Sequence, residues 1–348
     1  MPAGPNGPPQ IGPRKCENVN CGRRTETGGK LMKQCVGCSS ATYCSKECQK
    51  AAWPMHKPCC RLIKQNAAVL SSLDEDAQRF GYESSITFAQ AMHEYTEAHQ
   101  WAVYNMILAH ILLKSGPSMA IAQQEPIGAV MLRFLLVCQS TPTTPRSQRN
   151  PATTFKVVDH GLMRMDYYAT GPARNARLCA DMIKECQAYH EKNLNSKTRS
   201  PFYVGVVPIM YTTSEVCVQH LSLFPVFRPP NNINMDPFVK RVLHDLVRYC
   251  VYTMDNGFPL RAADHSIQPY YAVPGRFTRS KGKQWIWEAL FKEWAEYEDG
   301  RARCGRLPGM EELRLAMSPG ALMNLYTAFW AMKTATVVSL KLPTKYTV

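Results

Sequence analysis

The spacing of apolar residues predicts several helices in the larger, C-terminal part of the chain. Between Ser85 and Leu113 apolar side chains recur at the intervals that place them on one helix face. Asp236 followed by Pro237 is typical of a helix start, because Asp caps free amide groups and Pro suits the first turn. The pattern predicts helices from Arg61 to about Leu73, Ser85 to Leu113, Ala173 to Leu194, Asp236 to Met254, Lys283 to Tyr297 and Pro319 to Val338. Core candidates in the second of these are Phe88, Met92, Tyr95, Trp101, Tyr104, Met106, Ile107 and Ile111.

Other segments are strand-like or ambiguous. Gly128 to Cys138 is a dense apolar run, which fits either a strand or a buried helix. Phe155 to Asp159 and Met163 to Tyr168 alternate as a strand or a hairpin would. Phe202 to Tyr211 predicts a buried strand, and Ser214 to Phe227 is a further β-like or ambiguous run. The whole region after residue 60 is therefore predicted to be a mixed α+β, predominantly helical globular unit.

The first 60 residues follow a different pattern. Residues 1–15 hold five prolines and three glycines, which predicts a flexible lead-in. Residues 16–60 contain few apolar side chains, so a unit of that size needs a cross-link to offset the entropy of its chain. We therefore divide the chain into a lead-in at 1–15, a small cross-linked unit at 16–60 and a larger unit at 61–348.

The small unit carries eight metal-ligand side chains in four pairs. The pairs are Cys16 and Cys21, Cys35 and Cys38, Cys44 and Cys48, and His56 and Cys60. Zinc prefers four sulfur or nitrogen ligands in a tetrahedron, and pairs a few residues apart supply these ligands in twos. Four pairs predict two zinc ions, although spacing alone leaves open which pairs share an ion.

The local sequence agrees with this prediction. Cys44 and Cys48 are four residues apart, as are His56 and Cys60, and this separation places two side chains on one helical face. Ser45 is predicted to cap a short helix between them. The residues before Cys44 leave room for one short strand.

Disulfide bonds are the main alternative, because the chain has 14 cysteines. The first ten residues contain no apolar segment of the kind found in a secretory signal peptide. Eight of the cysteines lie in the first 60 residues, which is typical of metal binding rather than of a disulfide framework. An intracellular location would keep the thiols reduced. We therefore expect zinc, and an intracellular protein of nucleus or cytoplasm.

The pattern from residue 16 to 60 resembles the MYND-type zinc finger. The resemblance depends on all eight ligands, on Tyr43-Cys44-Ser45, on Cys48-Gln49 and on the Trp53 to Cys60 segment. The family's fold is cross-braced, so alternate pairs share an ion. It implies Cys16, Cys21, Cys44 and Cys48 for the first zinc, and Cys35, Cys38, His56 and Cys60 for the second.

Two details depart from the family's usual pattern or need a choice. Four residues separate Cys16 from Cys21, where the family often has two. Cys59 lies beside Cys60, and Cys60 is chosen because three residues separate it from His56.

Charge and length limit the other classes of function. The formal net charge is +14, and seven zinc-bound thiolates with two zinc ions lower it to about +11. The basic residues occur singly or in pairs without a recognition motif, so nonspecific nucleic-acid binding is an alternative that the sequence does not favour. No apolar run reaches the length of a membrane span.

The sequence favours a non-catalytic protein. A SET-type protein lysine methyltransferase housed in 61–348 is the enzymatic alternative, because some of those enzymes carry a MYND finger. In them the finger lies inside the catalytic domain, whereas 15 residues precede Cys16 here, and their Asn-His-Ser-Cys-type signature is missing from 61–348. The Asp159-His160 and Asp264-His265 neighbours, together with His93 and His99, are expected to be ordinary structural or exposed residues.

The resemblance also implies a partner. MYND fingers act in protein–protein recognition, possibly within transcriptional or other regulatory complexes, and take short Pro-containing peptides beside a strand and the adjoining helix. The positions that match the family's binding face are Gln49, expected to be exposed, and Trp53, which the finger's own core could use instead. The expected function is a zinc-binding finger that serves as a structural element and a protein-interaction module.

Overall fold

The computed structural model describes most of the chain. The described residues are 16, 18, 21, 33–36, 41–65, 67–143, 149–171, 173–196, 200–230, 233–262, 270–280 and 285–330. The predicted lead-in, Cys38, Asp264-His265 and the end of the last predicted helix lie outside these residues.

The described residues form helices and strands in a mixed order. The helices are α1 (Lys46–Gln65), α2 (Ala67–Gln78), α3 (Ser85–Ala98), α4 (Gln100–Ser115), α5 (Met165–Ala169), α6 (Ala173–Leu194), α7 (Pro237–Asp255), α8 (Trp294–Glu298) and α9 (Pro319–Trp330). The strands are β1 (Lys33–Gln34), β2 (Thr42–Tyr43), β3 (Val130–Cys138), β4 (Phe155–Arg164), β5 (Tyr203–Thr213), β6 (Gln219–Phe227), β7 (Leu260–Ala262), β8 (Ala272–Arg279) and β9 (Trp285–Ala289). Short 3-10 turns lie at Gly116–Ser118, Ala120–Gln123, Pro151–Thr153 and Glu311–Leu313.

A four-stranded sheet organises the larger unit. Its strand order is β4-β3-β5-β6, with the central pair β3 and β5 parallel and both outer pairs antiparallel. Alternate side chains of β3 point to opposite faces. Leu132, Phe134 and Leu136 join the main core, which includes residues of α3, α4 and α7. Met131 joins a smaller core with residues of α6 on the other face. The sheet is therefore covered by helices on both faces.

A second sheet of three strands, in the order β7-β8-β9, adds to the same main core. Gly275 on β8 lies directly under the Trp287 ring of β9, where a Cβ atom would come within 2.2 Å of the ring. The Trp287 indole Nε1 donates a hydrogen bond of 2.9 Å to the Pro259 carbonyl oxygen.

Most of the predicted elements are confirmed. The α6 helix spans the predicted residues, and the Asp236 carboxylate accepts a 2.8 Å hydrogen bond from the Val239 amide at the start of α7. The ambiguous apolar run before Cys138 is a strand, and the β-like runs that end at Tyr211 and Phe227 are strands as well. The mixed helix and sheet class of this region is therefore confirmed.

Two predicted elements need correction. The predicted helix from Lys283 to Tyr297 is wrong, because residues 285–289 form β9 and the short α8 begins only at Trp294. Their alternation allows Trp285 and Trp287 to pack on one face while β9 pairs with β8, and this pairing overrides the helical spacing. The second strand of a possible hairpin after Met163 is absent among the described residues, since α5 begins at Met165.

The helix predicted from Ser85 to Leu113 is interrupted at His99. The His99 backbone has φ −102° and ψ 18°, which ends α3 and begins α4. The His99 side chain is fully buried, and its Nε2 donates a 2.9 Å hydrogen bond to the Ala152 carbonyl oxygen. The bend therefore anchors both helices to the turn that precedes β4.

We expect His99 to make the protein sensitive to acid. Burial lowers the pKa of His99 to about 4, while the hydrogen bond to Ala152 acts in the opposite direction. The unfolded chain protonates this ring near pH 6.5, so its contribution to stability is complete above that pH and is lost as pH falls toward 4. Between pH 7 and 4 wild type should lose about 3 kcal/mol more unfolding free energy than His99→Gln. Urea unfolding at several pH values measures this, and equal losses would contradict it.

Candidate metal centre

The small unit is built from β1, β2 and the first turns of α1. The two strands are antiparallel, with Lys33 opposite Tyr43, and the Cys35 amide donates a 2.8 Å hydrogen bond to the Ala41 carbonyl oxygen. The Ser45 hydroxyl accepts a 3.2 Å hydrogen bond from the Cys48 amide, which confirms the predicted cap of α1. These contacts place the two cysteines of the Cys44 pair at the junction of β2 and α1.

The structure brings four of the predicted cysteines together. The sulfur atoms of Cys16, Cys21, Cys44 and Cys48 all lie within 4.8 Å of one another. The Cys44 sulfur is 3.5 Å from that of Cys21 and 3.4 Å from that of Cys48. Sulfurs bound to one tetrahedral zinc at 2.3 Å are about 3.8 Å apart. The cluster therefore needs shifts of only a few tenths of an ångström to hold zinc.

The thiols of this cluster differ in acidity. Hydrogen bonds, the one with Cys48 first, raise the pKa of Cys44 to about 12. A hydrogen bond with Asn18, followed by those with Cys44 and Cys21, lowers the pKa of Cys48 to about 7. Thiolates are the form that binds zinc, so a bound cation resolves the competition among neighbouring sulfurs for protons.

Asn18 is a contributor that sequence reasoning missed. It lies between the first two ligands, its carbonyl oxygen accepts a 2.8 Å hydrogen bond from the Cys21 amide, and its side chain contacts Cys48. The signal was available in the longer gap between Cys16 and Cys21, which makes room for such a turn.

A second cluster contains three of the remaining predicted ligands. One ligand atom each from Cys35, His56 and Cys60 lies within 4.8 Å of the others. Cys35 and Cys60 are both buried, which suits a closed structural site. Cys38, the fourth residue implied by the resemblance, lies outside the described residues, as does the side chain of Cys59.

Tyr43 fills the core of this small unit. It is 1% exposed, and its ring lies edge-on to the His56 ring at a centroid distance of 6.0 Å. Trp53 is 39% exposed and touches His56 from the other side at 5.9 Å. The core role that the sequence allowed for Trp53 thus falls to Tyr43 in the described part of the unit. Gln49, expected to be exposed, is half-buried.

The small unit is similar to a known family. Residues 16–60 match the family model of the MYND finger. Two proteins described as MYND-type zinc finger protein samB, from Aspergillus clavatus and Emericella nidulans, are each 45% identical to this chain over 49 residues. Each match covers 14% of this chain, and the chain spans 8% of the length of these relatives. No solved structure matches the chain.

The MYND finger binds zinc. The family match and the two clusters together support two zinc ions per chain. All of these matches lie within the finger and leave residues 61–348 without a relative. None of the described helices combines the length with the apolar composition that a bilayer-spanning segment needs.

Proposed function

We propose that the finger binds its two zinc ions in a cross-braced arrangement. Cys16, Cys21, Cys44 and Cys48 hold the first ion, and their mutual approach within 4.8 Å is the observation that supports this assignment best. Cys35, Cys38, His56 and Cys60 hold the second ion. Three of those four form the second cluster, while Cys38 follows from the spacing and from the family pattern.

The zinc ions have a structural role in this proposal. Each ion has four protein ligands, which leaves no open position for a water or a substrate. The first and third pairs bind one ion while the second and fourth bind the other, so both ions link the N-terminal segment to α1. The proposed unit ends near residue 60, although α1 itself continues to Gln65.

The finger serves as a protein-interaction module. Gln49 and Trp53 are four residues apart on α1, so they lie on one side of the helix. Trp53 offers an exposed aromatic surface, and α1 packs directly against β2. An extended Pro-containing peptide could stack on the indole while the Gln49 amide donates to a peptide carbonyl oxygen. This is the partner class that we propose, with the protein acting inside the cell, where its unpaired cysteines stay reduced.

A panel of short Pro-containing peptides tests the interaction. We expect Gln49→Ala and Trp53→Ala each to weaken peptide binding at least about fivefold, because each removes a contact of roughly 1 kcal/mol. Fluorescence anisotropy with the zinc-loaded full chain measures the affinity. Glu47→Gln is the matched control, since this exposed residue of α1 lies about 200° around the helix from Gln49. A panel without any binder, or equal affinities for all variants, would contradict the proposed face.

A further inference from the structure

A row of aromatic rings crosses the four-stranded sheet on the face that is covered by α3 and α4. His160 on β4 is opposite Phe134 on β3, which is opposite Tyr211 on β5, which in turn is opposite His220 on β6. Neighbouring rings are in contact, with centroid distances of 6.1, 5.3 and 5.7 Å along the row. The row therefore ends in a histidine at each edge of the sheet.

A second histidine from a covering helix meets the ring at each end. His110 of α4 places its Nε2 atom 3.1 Å from Nδ1 of His160. His93 of α3 places its Nδ1 atom 3.3 Å from Nε2 of His220. Fifty residues separate the first pair and 127 separate the second, so the sequence offers no sign of either.

The His110–His160 pair has the geometry of two ligands that could share a metal ion. Two imidazole nitrogens on one tetrahedral zinc, each about 2.0–2.1 Å from the ion, are about 3.3 Å apart. The observed 3.1 Å is within a few tenths of an ångström of that value. Without a metal, one of the two facing nitrogens carries the proton of a hydrogen bond. Moving this proton to the other nitrogen of the same ring frees both lone pairs without net proton loss.

The surroundings keep both rings neutral, as a metal site requires. Burial lowers the pKa of His110 to about 4, with further contributions from His160 and His244. Burial also lowers the pKa of His160, although Asp159 acts in the opposite direction. The Asp159 carboxylate itself pairs with Arg133 at 2.6 Å. Neutral imidazole is the form that binds divalent transition metals, so these rings can bind near neutral pH without losing a proton.

A third imidazole lies close to the pair. His244 is an exposed residue of α7, a helix that packs against both α4 and β4. Its electrostatic effect on His110 shows that the two rings are near neighbours. Among the described residues, the sets with three or more ligand atoms within 4.8 Å are those of the finger, so His244 must turn toward the pair to bind with it. An exposed side chain can change rotamer in this way.

We propose that His110 and His160 bind a third divalent zinc-like ion, with His244 as the third protein ligand and water as the fourth. The site is separate from the finger, and it would link α4, α7 and the edge strand β4. The His93–His220 pair is the weaker candidate, because the Ser222 hydroxyl also contacts His220 Nε2 at 3.2 Å and competes for that atom.

Zinc content of the full-length protein tests this proposal. The zinc-loaded chain is equilibrated with about 10 μM free zinc, roughly tenfold above a micromolar dissociation constant, and bound zinc is counted by mass spectrometry. Wild type should hold three ions, whereas His110→Gln and His160→Gln should hold two. His244→Ala should weaken the third site about tenfold, which leaves it roughly half occupied. His93→Gln, the control from the other pair, should keep three.

Each other outcome contradicts the proposal. A wild-type count of two excludes the site, and loss of the third ion in His93→Gln but not in His110→Gln places it elsewhere. An unchanged third ion in His244→Ala overturns the ligand set, and this exposed variant decides the matter if a core histidine variant fails to fold. Cys44→Ser separates this site from the finger, because it should lose finger zinc and retain the third ion. Zinc-dependent shifts of the His110 and His160 ring nitrogens in NMR spectra give a second readout.

Discussion

Replacing Cys44 by serine should unfold the finger and leave the larger unit folded. The first cluster would retain three of its four sulfurs, and Cys44 is the sulfur that contacts both Cys21 and Cys48. Apart from cysteines, the buried hydrophobic residues in the described part of the finger are Ala41 and Tyr43. So small a core cannot offset chain entropy, whereas structural zinc contributes an apparent 10–16 kcal/mol in zinc-finger peptides. Removal of the metal should therefore have the largest effect of any change considered.

Zinc content and amide hydrogen exchange measure this result. We expect Cys44→Ser to lose at least one zinc ion per chain, and the amides of β1, β2 and the first turns of α1 to lose protection. The amides of β3 and β5 should keep theirs, because the main core includes no residue of the finger. Cys217→Ser, a change at an exposed cysteine of the larger unit, is the matched control and should leave both quantities unchanged. A chelated wild type with undiminished protection in the finger would contradict a structural role for zinc.

Truncation of Trp294 to alanine should cost the larger unit about 3–5 kcal/mol of unfolding free energy. Trp294 is 1% exposed, and its ring packs edge-on against Tyr249, Phe291 and Tyr297. Its indole Nε1 donates a 2.9 Å hydrogen bond to the Ala272 carbonyl oxygen. Alanine would leave a cavity among three aromatic rings and a buried carbonyl without its donor.

Trp285→Ala provides the comparison for this prediction. Trp285 is only half-buried on the edge strand β9, where the Arg279 guanidinium lies 5.2 Å from its ring centroid. Loss of that contact should cost about 1 kcal/mol. Chemical denaturation of both variants measures the difference, and equal losses would show that burial does not set the contribution of these two tryptophans.

The prediction of zinc needed little more than spacing along the chain. Ligands within a pair are three to five positions apart, so a turn or one helical step brings them together whatever the rest of the protein does. The same holds for the Ser45 and Asp236 caps, because a cap depends on residues two or three positions away. Signals of this kind are local, and the structure retains them.

Predictions failed where distant residues compete with local spacing. Residues 285–289 have helix-like spacing of tryptophans, yet pairing with β8 and packing on Gly275 make them a strand. The helix predicted through His99 is divided because that side chain reaches Ala152, 53 residues away. In both places tertiary contacts contribute more free energy than helix propensity does.

By itself, therefore, the sequence determined the number and kind of metal ligands, the caps of two helices and the positions of most strands. Only the tertiary structure decided which cysteine pairs meet, which aromatic residue fills the finger's core, and that His110 lies beside His160. The physical reason is range. Ligand pairs and caps are set by backbone geometry over a few residues, whereas these contacts form only after the chain has closed loops of 20 to 50 residues or so, at a cost in entropy that the packed core and the metal must offset.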